Sequence, residues 1–509
     1  MCPPLGTDIN AAPQRSATDR LGLAPPAQPA ALPDAAERLA ALGAQLARDL
    51  ETLDYPRQDW VIPRHHASGA HVWDVVIVGA GQGGLATWFG LWRERVRNVL
   101  IVDRAPKGGE GPWATYSRMW TLRSPKHLTG PDLGISSLTP RAWYTAKHGE
   151  AGWDTLAKWP REVWQHYLDW YRDVLGAPVR NTWQLDHIGW DAAHGLLELD
   201  GAGERLLTRK VVLANGIEGG GDWRCPDFVR ALPRSRWHLC TEDFDSRALR
   251  GKHVAMLGAG ATAWDRAADV LEHGAASLTL TMRRRELLAV NPFRWMEKAG
   301  YLRHYASMDD ATRWRWMTAT FDFGQPPTQD GLNRCAAFAN FTLHANATWI
   351  GTTLKPDRIT ITCSDGTAQH ADHLLVGTGF DVDMALRPEL RDWHGSIARW
   401  GDRYPAPLGQ EHPVCSRYPY LNPDLSFVER TPSSCPPLAE IHCFNYGASV
   451  SNGFSGASLS GMKYGIEPLI NGITRCFWLA DETANFQVLA GWNAIDTDTS
   501  VLAGRIRTV

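Results

Sequence analysis

Two copies of one local pattern constrain what this chain can become. In each, an apolar run leads into a glycine-rich turn and then into a helix-compatible stretch. The first copy is Val75-Val76-Ile77-Val78-Gly79-Ala80-Gly81-Gln82-Gly83-Gly84, with Val99-Leu100-Ile101-Val102-Asp103 as the next apolar run. The second is His253-Val254-Ala255-Met256-Leu257-Gly258-Ala259-Gly260-Ala261-Thr262-Ala263, followed by Leu278-Thr279-Leu280-Thr281-Met282-Arg283. A strand running into G-x-G-x-x-G/A and a helix is the turn that cradles a pyrophosphate. Gly79 and Gly258 make the tight turn, and Gly81 and Gly260 let the backbone approach the ligand. Gly84 and Ala263 let the helix pack on the strand, and Gln82 opens a helix whose free N–H groups and positive dipole end suit the diphosphate.

The charge at the end of the second strand separates the two sites. Asp103 can accept hydrogen bonds from a ribose and would repel a 2′-phosphate; Arg104 beside it is a further cofactor-binding candidate. Arg283, with Arg284 and Arg285 behind it, stands at the equivalent place in the second copy. Charge-assisted hydrogen bonds of roughly 1.5–3 kcal/mol would favour a 2′-phosphorylated nucleotide by about ten- to a hundredfold. A solvated basic patch is the alternative for this arginine run. Opposite ribose preferences imply FAD at the first turn and NADPH at the second.

The chain has 509 residues, 44% hydrophobic and 21% charged, enough for two to three domains of an α/β protein. Its net charge of −3 argues against a nucleic-acid or anionic-membrane partner. Nine cysteines with no C-x-x-C pair fit a reduced, cytoplasmic protein without a metal site, and exclude a flavin disulfide reductase. No basic-then-apolar leader is visible, and Val72–Trp92, interrupted by Asp74 and by glycines, reads as a strand and helix start rather than a membrane span. The 24 tryptophans are explained by packing, with some free to line an aromatic substrate pocket.

Residues 1–33, rich in Pro and Ala, read as a flexible or surface-draped leader within an N-terminal extension over 1–70. Pro33-Asp34-Ala35-Ala36-Glu37 has a capping-box pattern. Leu39, Leu42, Leu46, Leu50 and Leu53 then form a helical stripe that docks on the main body or, alternatively, makes a homo-oligomer contact. Trp159–Leu175 is periodic like a helix, started by Pro160. Trp183–Trp190, Gly195–Leu199 and Arg209–Asn215 read as strands, as do Ala347–Leu354, Arg358–Cys363 and the run from His373. Each half therefore repeats strand–turn–helix–strand, a small β-meander, and a strand ending in glycine. The expected layout is a first nucleotide segment over 71–230, a second nucleotide domain over 231–380, and a returning segment over 381–509. A partly helical excursion over about 286–345 breaks the repeat and is expected to cover a substrate pocket.

Taken together, these residues resemble the two-dinucleotide flavoprotein family of flavin-containing, N-hydroxylating and Baeyer–Villiger monooxygenases. Gly108-Gly109-Glu110-Gly111-Pro112-Trp113 resembles the family's Gly-Gly-x-Trp segment beside the flavin, which brings in Gly111 and Trp113. Leu213-Ala214-Asn215-Gly216 and Asp372–Phe380, with Gly379, match its glycine-ended strands, and Asn445-Tyr446-Gly447 through Gly461 sits where the family closes its FAD domain. The interdomain signature F-x-G-x-x-x-H-x-x-x-W/Y/F, laid on Leu232–His238, keeps only His238, which weakens the Baeyer–Villiger branch. Arg123-Ser124-Pro125-Lys126 stands where the flavin-containing branch has Asn-Thr-Ser-Lys. Asn291-Pro292-Phe293 resembles a Pro-Phe pocket segment of N-hydroxylases and otherwise reads as a turn.

The resemblance implies NADPH reduction of FAD, a flavin C4a-(hydro)peroxide formed with O2, and oxygenation of a small molecule at a heteroatom, N-hydroxylation first. Baeyer–Villiger or other carbon oxygenation is the alternative, and NADPH oxidation without oxygen transfer the further one. Arg123 and Lys126 are the expected catalytic groups, where a cation stabilises reduced flavin, peroxide or a substrate carboxylate; pairing with surface acids or an FAD phosphate is their alternative.

Overall fold

A computed structural model describes residues 25–456 and 458–505. The proposed leader up to residue 24, with Cys2, lies outside the described residues. Strands β1 (Val72–Val78), β2 (Val99–Val102), β3 (Val179–Arg180), β4 (Leu185–Asp191), β5 (Leu196–Gly201) and β6 (Glu204–Leu213) form one sheet in the order β3-β2-β1-β6-β5-β4. Val78 of β1 pairs with Val102 on one side and Leu213 on the other, all parallel. This register delivers Gly79, Asp103 and Ala214 to one edge of the sheet, where ligands of open parallel sheets bind. The five residues Val75–Val78 and Asp74 are buried, as the unbroken apolar run requires of a strand covered on both faces.

A short strand β7 (Gly221–Trp223) leads to a second sheet. Its strands are β8 (Trp237–Leu239), β9 (His253–Leu257), β10 (Ser277–Thr281), β11 (Phe341–His344) and β15 (His373–Val376), in the order β11-β10-β9-β15-β8. Between them β12 (Trp349–Leu354), β13 (Ile359–Cys363) and β14 (Ala368–Ala371) make the antiparallel meander. The chain returns along β16 (Phe380–Val382), antiparallel to β7, so both crossings between the sheets run in one two-stranded ribbon. Arg224 and Arg417 both pair with Asp381, the central residue of β16. Finally β17 (Ile441–Cys443) joins the first sheet against Val211–Leu213 of β6.

The partly helical excursion over about 286–345 also contains a strand at its end. Helices Pro292–Met296, Ala299–His304, Asp310–Phe323 and Gln329–Ala336 fill the excursion, but Phe341–His344 is β11, in parallel register with Leu278–Thr281. Four half-exposed residues carry no period by which to recognise a strand. The helix α1 (Ala35–Leu53) also departs from expectation at its start: Asp34 makes no capping bond and instead binds Arg38 Nε at 2.9 Å. Its stripe packs inward, with Leu46 fully buried and Leu39, Leu42 and Leu50 against the core, while Leu53 is exposed. Asp49 receives the Ser137 hydroxyl at 2.5 Å, and Leu32 N–H bonds Lys147 of the neighbouring helix Pro140–Thr155.

Many tryptophans are explained by packing. Trp143, Trp159 and Trp164 form a fully buried aromatic cluster with Tyr144, Tyr167 and Tyr171. Among the described residues no helix is long and apolar enough to cross a membrane, and eight cysteines are free thiols.

Candidate active site

One cavity of about 1610 Å³ starts at the first glycine turn, passes the β7–β16 ribbon and ends under the helical excursion. The turn opens it for a steric reason. Gly79 has φ +110°, and a Cβ there would stand 2.5 Å from the Ala214 carbonyl oxygen. A Cβ on Gly84 would stand 1.8 Å from the Gly79 carbonyl oxygen, so the helix Gln82–Arg93 can sit this close to β1 only with glycine. Gly81 is different: it caps that helix, lines the cavity, and has no protein atom within 4 Å of where a Cβ would be. Gly111, Gly216 and Gly379 also line the cavity beside empty space. Such a row of bare backbone is a cradle for a bulky ligand, and an FAD-sized dinucleotide fits it.

Asp103 lines the same end. Its Oδ2 accepts from Ala80 N–H at 2.7 Å and its Oδ1 from Ala105 N–H at 2.8 Å. Each oxygen keeps a lone pair for a ribose hydroxyl. Burial raises this carboxyl's pKa, against which the two N–H bonds act. Arg104 pairs with Glu218, also on the wall. Gln82 lines the cavity while accepting from Trp164 Nε1 at 3.1 Å, and Trp113 lies beside Gly111.

At the second turn Gly258 N–H bonds Thr281 O at 2.9 Å, which brings the residues after β10 next to the turn. A Cβ on Gly258 would meet Gly377 O at 2.2 Å; Gly260 borders open space, and Ala263 is buried against Gly377. Arg283 and Arg285 are exposed and make no hydrogen bond or ion pair among the described residues. Arg284 differs, because its Nη2 donates to Asp322 O at 3.2 Å. Two uncommitted guanidiniums at the strand end suit a phosphate-bearing ribose, and Thr262, Thr241 and Asp243 carry this side into the main cavity.

The expected catalytic pair separates. Arg123 and Lys126 both line the cavity. Lys126 donates to the Trp153 carbonyl at 2.8 Å and lies over the Trp153 ring, so its ammonium is held by a helix end. Arg123 donates through Nη1 to Pro326 O at 3.1 Å, whereas its Nη2 is buried without any partner. Burial lowers the pKa of Arg123, and the field of Asp265 opposes that. Asp265, from the helix Ala261–Glu272, is pushed up to about 6 by burial. Asn445 needs a correction: it is buried but does not line the cavity. Its amide donates to Asn215 Oδ1 and Leu213 O, and its oxygen accepts from Gly447 N–H, so it ties together the end of β6 and the turn after β17.

At the far end of the cavity the Asn291–Phe293 segment is joined by aromatic residues that no motif marks. Phe293, Tyr301, Phe321, Tyr418, Tyr446 and Phe454 line it, with Asn291 and Gln325 as polar members. Phe293 and Phe454 meet at 4.9 Å between ring centres. Asn291 caps the short helix through Phe293 N–H, so the Asn-Pro-Phe segment is both a turn and a wall. Tyr301 has a buried hydroxyl with no partner. Burial pushes the Tyr446 phenol up to about 12 and raises Tyr418 well above the usual phenol range, so both stay neutral at physiological pH. His238, the survivor of the interdomain signature, lies outside the cavity lining. It bonds His373 Nε2 at 2.8 Å and stacks on Phe244, a structural clasp between β8 and β15.

Comparison with known proteins agrees with this architecture. Residues 76–218 match an FAD-NAD(P)-binding family model. The chain is 44% identical, over 89% of its length and 96% of the relative's, to the FAD-dependent urate hydroxylase of Xanthomonas campestris. Its fold resembles the L-lysine 6-monooxygenase of Pseudomonas syringae (TM-score 0.61, 14% identity, 79% of this chain and 99% of the other). It also resembles the Kutzneria ornithine N-hydroxylase, crystallised with reduced FAD, NADP+ and L-ornithine (TM-score 0.59, 15% identity, 80% and 99%). Fold and site thus define a two-nucleotide flavoprotein monooxygenase, an oxidoreductase that uses FAD and NADP(H). The chain belongs to the FAD-dependent urate hydroxylase family.

Proposed function

We propose that this monooxygenase hydroxylates urate or a closely similar planar, anionic heterocycle. The observation that carries the proposal is Arg123: a cavity-lining guanidinium with a buried, partnerless Nη2, near an aromatic-walled chamber that also holds the partnerless Tyr301 hydroxyl. Aromatic walls suit a flat ring, and a cation with a spare donor suits its negative charge. The 44% identity to a urate hydroxylase along nearly the whole chain supports the same substrate.

FAD is assigned to the part built from residues 71–230 and 381–509, on Gly79, Gly81, Gln82, Gly84, Asp103, Arg104, Gly111, Trp113, Gly216 and Gly379. NADPH is assigned to residues 231–380, on Gly258, Gly260, Ala263 and Arg283, with Arg285 in the place expected for Arg284. Support comes from the bare-backbone cradle and from the unpaired arginines. When bound, the two cofactors supply hydride transfer and dioxygen activation. The protein's own residues position and shield. Arg123 holds negative charge on the substrate, Tyr301 offers a hydroxyl, and Phe293, Phe321 and Phe454 exclude water. The free thiols support a reducing, cytoplasmic location.

The test is NADPH consumption with candidate substrates, with product mass followed. Urate is expected to stimulate turnover and to gain one oxygen. N-hydroxylation of an amine is the second reading, favoured by Glu297, an exposed carboxylate on the cavity wall. Stimulation by lysine, ornithine or cadaverine, with urate inert, would overturn the first reading in favour of the second.

A further inference from the structure

Away from the cavity, three side chains with metal-binding chemistry converge between segments far apart in the chain. His66 lies in the stretch joining α1 to β1; Asp191 ends β4 and His194 sits in the tight turn before β5. One ligand atom from each lies within 4.8 Å of the others. His66 Nε2 is 3.1 Å and His194 Nδ1 2.6 Å from the same oxygen, Asp191 Oδ2. The two rings stand 4.1 Å apart between centres.

We propose that His66, Asp191 and His194 form a binding site for a divalent transition-metal cation, Zn2+ foremost, which clamps the N-terminal extension to the β4–β5 hairpin. Two imidazoles and a carboxylate are the donor set such ions take, with Zn–N and Zn–O distances of about 2.0–2.2 Å. The three donors already face one another, so an ion between them would replace the two hydrogen bonds to Asp191 Oδ2. The groups behind the donors are already arranged. Asp191 Oδ1 accepts from Ala193 N–H at 2.9 Å, which fixes the carboxylate and leaves Oδ2 for the centre. His66 Nδ1 accepts from Ser68 N–H at 3.2 Å and lies 2.6 Å from Ser68 Oγ, contacts that hold the ring with Nε2 toward the centre. The side chains are only partly exposed, so water can fill the remaining coordination positions. The proposal departs from the sequence expectation of no metal site, which rested on the cysteines and so bears on thiolate ligands rather than on imidazole and carboxylate donors.

The experiment uses untagged, full-length holoprotein freed of metal with a chelator. Calorimetric titration with ZnCl2 is expected to show one equivalent bound per chain, with a raised unfolding temperature. His194→Ala, and separately His66→Ala, should weaken binding about tenfold or more and abolish the temperature shift. Flavin content should not change in either variant. MgCl2 should do neither, because a hard, octahedral cation disfavours two imidazoles. Cu2+ in place of Zn2+ should give an electron paramagnetic resonance spectrum with two nitrogen ligands in the wild type and one in His194→Ala. Equal Zn2+ binding by wild type and both variants, or no binding by the wild type, would overturn the proposal and leave a hydrogen-bonded cluster only.

Discussion

Replacing Arg123 by methionine tests the substrate reading most directly. Methionine keeps an unbranched, flexible chain in the same space and removes the charge and every donor. Two contacts change. The Nη1 bond to Pro326 O is lost. The partnerless Nη2 disappears, and with it the donor proposed for the anionic ring. One charge-assisted hydrogen bond is worth roughly 1.5–3 kcal/mol, so kcat/KM for urate should fall about 10- to 150-fold. Arg123→Lys should recover part of this, since a lysine keeps the charge without the planar fork. The assay is steady-state NADPH oxidation coupled to product formation, with FAD content and the NADPH/NADH ratio measured in parallel. Both of the latter should stay at wild-type values. A variant that loses FAD but keeps its KM for urate would refute the reasoning and place Arg123 at the flavin.

Arg283→Ala, alone and combined with Arg285→Ala, should shift the NADPH/NADH preference about ten- to a hundredfold toward NADH; an unchanged ratio of kcat/KM values would displace NADPH from this strand end. Gly84→Ala forces a Cβ against the Gly79 carbonyl and should yield unstable, flavin-poor protein, whereas Gly81→Ala meets no protein atom and should fold normally yet retain less FAD; circular dichroism with flavin quantification separates them. His373 is buried and held down to about 3 by desolvation, then by the charges of His238 and neighbouring cations. Because the unfolded imidazole titrates near 6.5, its neutral burial adds stability above that pH which is lost as pH falls toward 3, by up to roughly 4–5 kcal/mol. Unfolding midpoints measured from pH 7 to 4 should therefore drop less steeply in His373→Asn than in the wild type.

What could be read from the sequence follows from how local each feature is. The two glycine turns are dictated by contacts within a few residues, so Gly79, Gly84 and Gly258 fall where the motif puts them. The charges at Asp103 and Arg283 follow from strand register alone. Strands of two to four residues, such as β3, β8, β11 and β17, are stabilised by partners distant in sequence and show no period of their own. The substrate end is harder still. Tyr301, Phe321, Tyr418 and Phe454 come from the excursion and the returning segment, and only packing brings them to one wall. Lys126 and Asn445 show the limit of a motif: it fixes the position, while the neighbours, the Trp153 carbonyl in one case and a strand end in the other, decide which bonds the side chain makes.

The placement of β17 has a consequence for how the chain is made. Ile441–Cys443 completes the first sheet by pairing with Val211–Leu213, yet it is synthesised only after the whole second sheet has emerged. During that interval the Val211–Leu213 end of β6, beyond the reach of β5, is bare on one side, and its buried valines invite pairing with another extended chain. The inserted sheet, by contrast, contains all its own strands and can fold as soon as it leaves the ribosome. Truncations that stop short of residue 441 should thus aggregate through the first sheet while the second stays folded. Closing the first sheet, rather than forming either glycine turn, is the step that long-range chain closure makes slow.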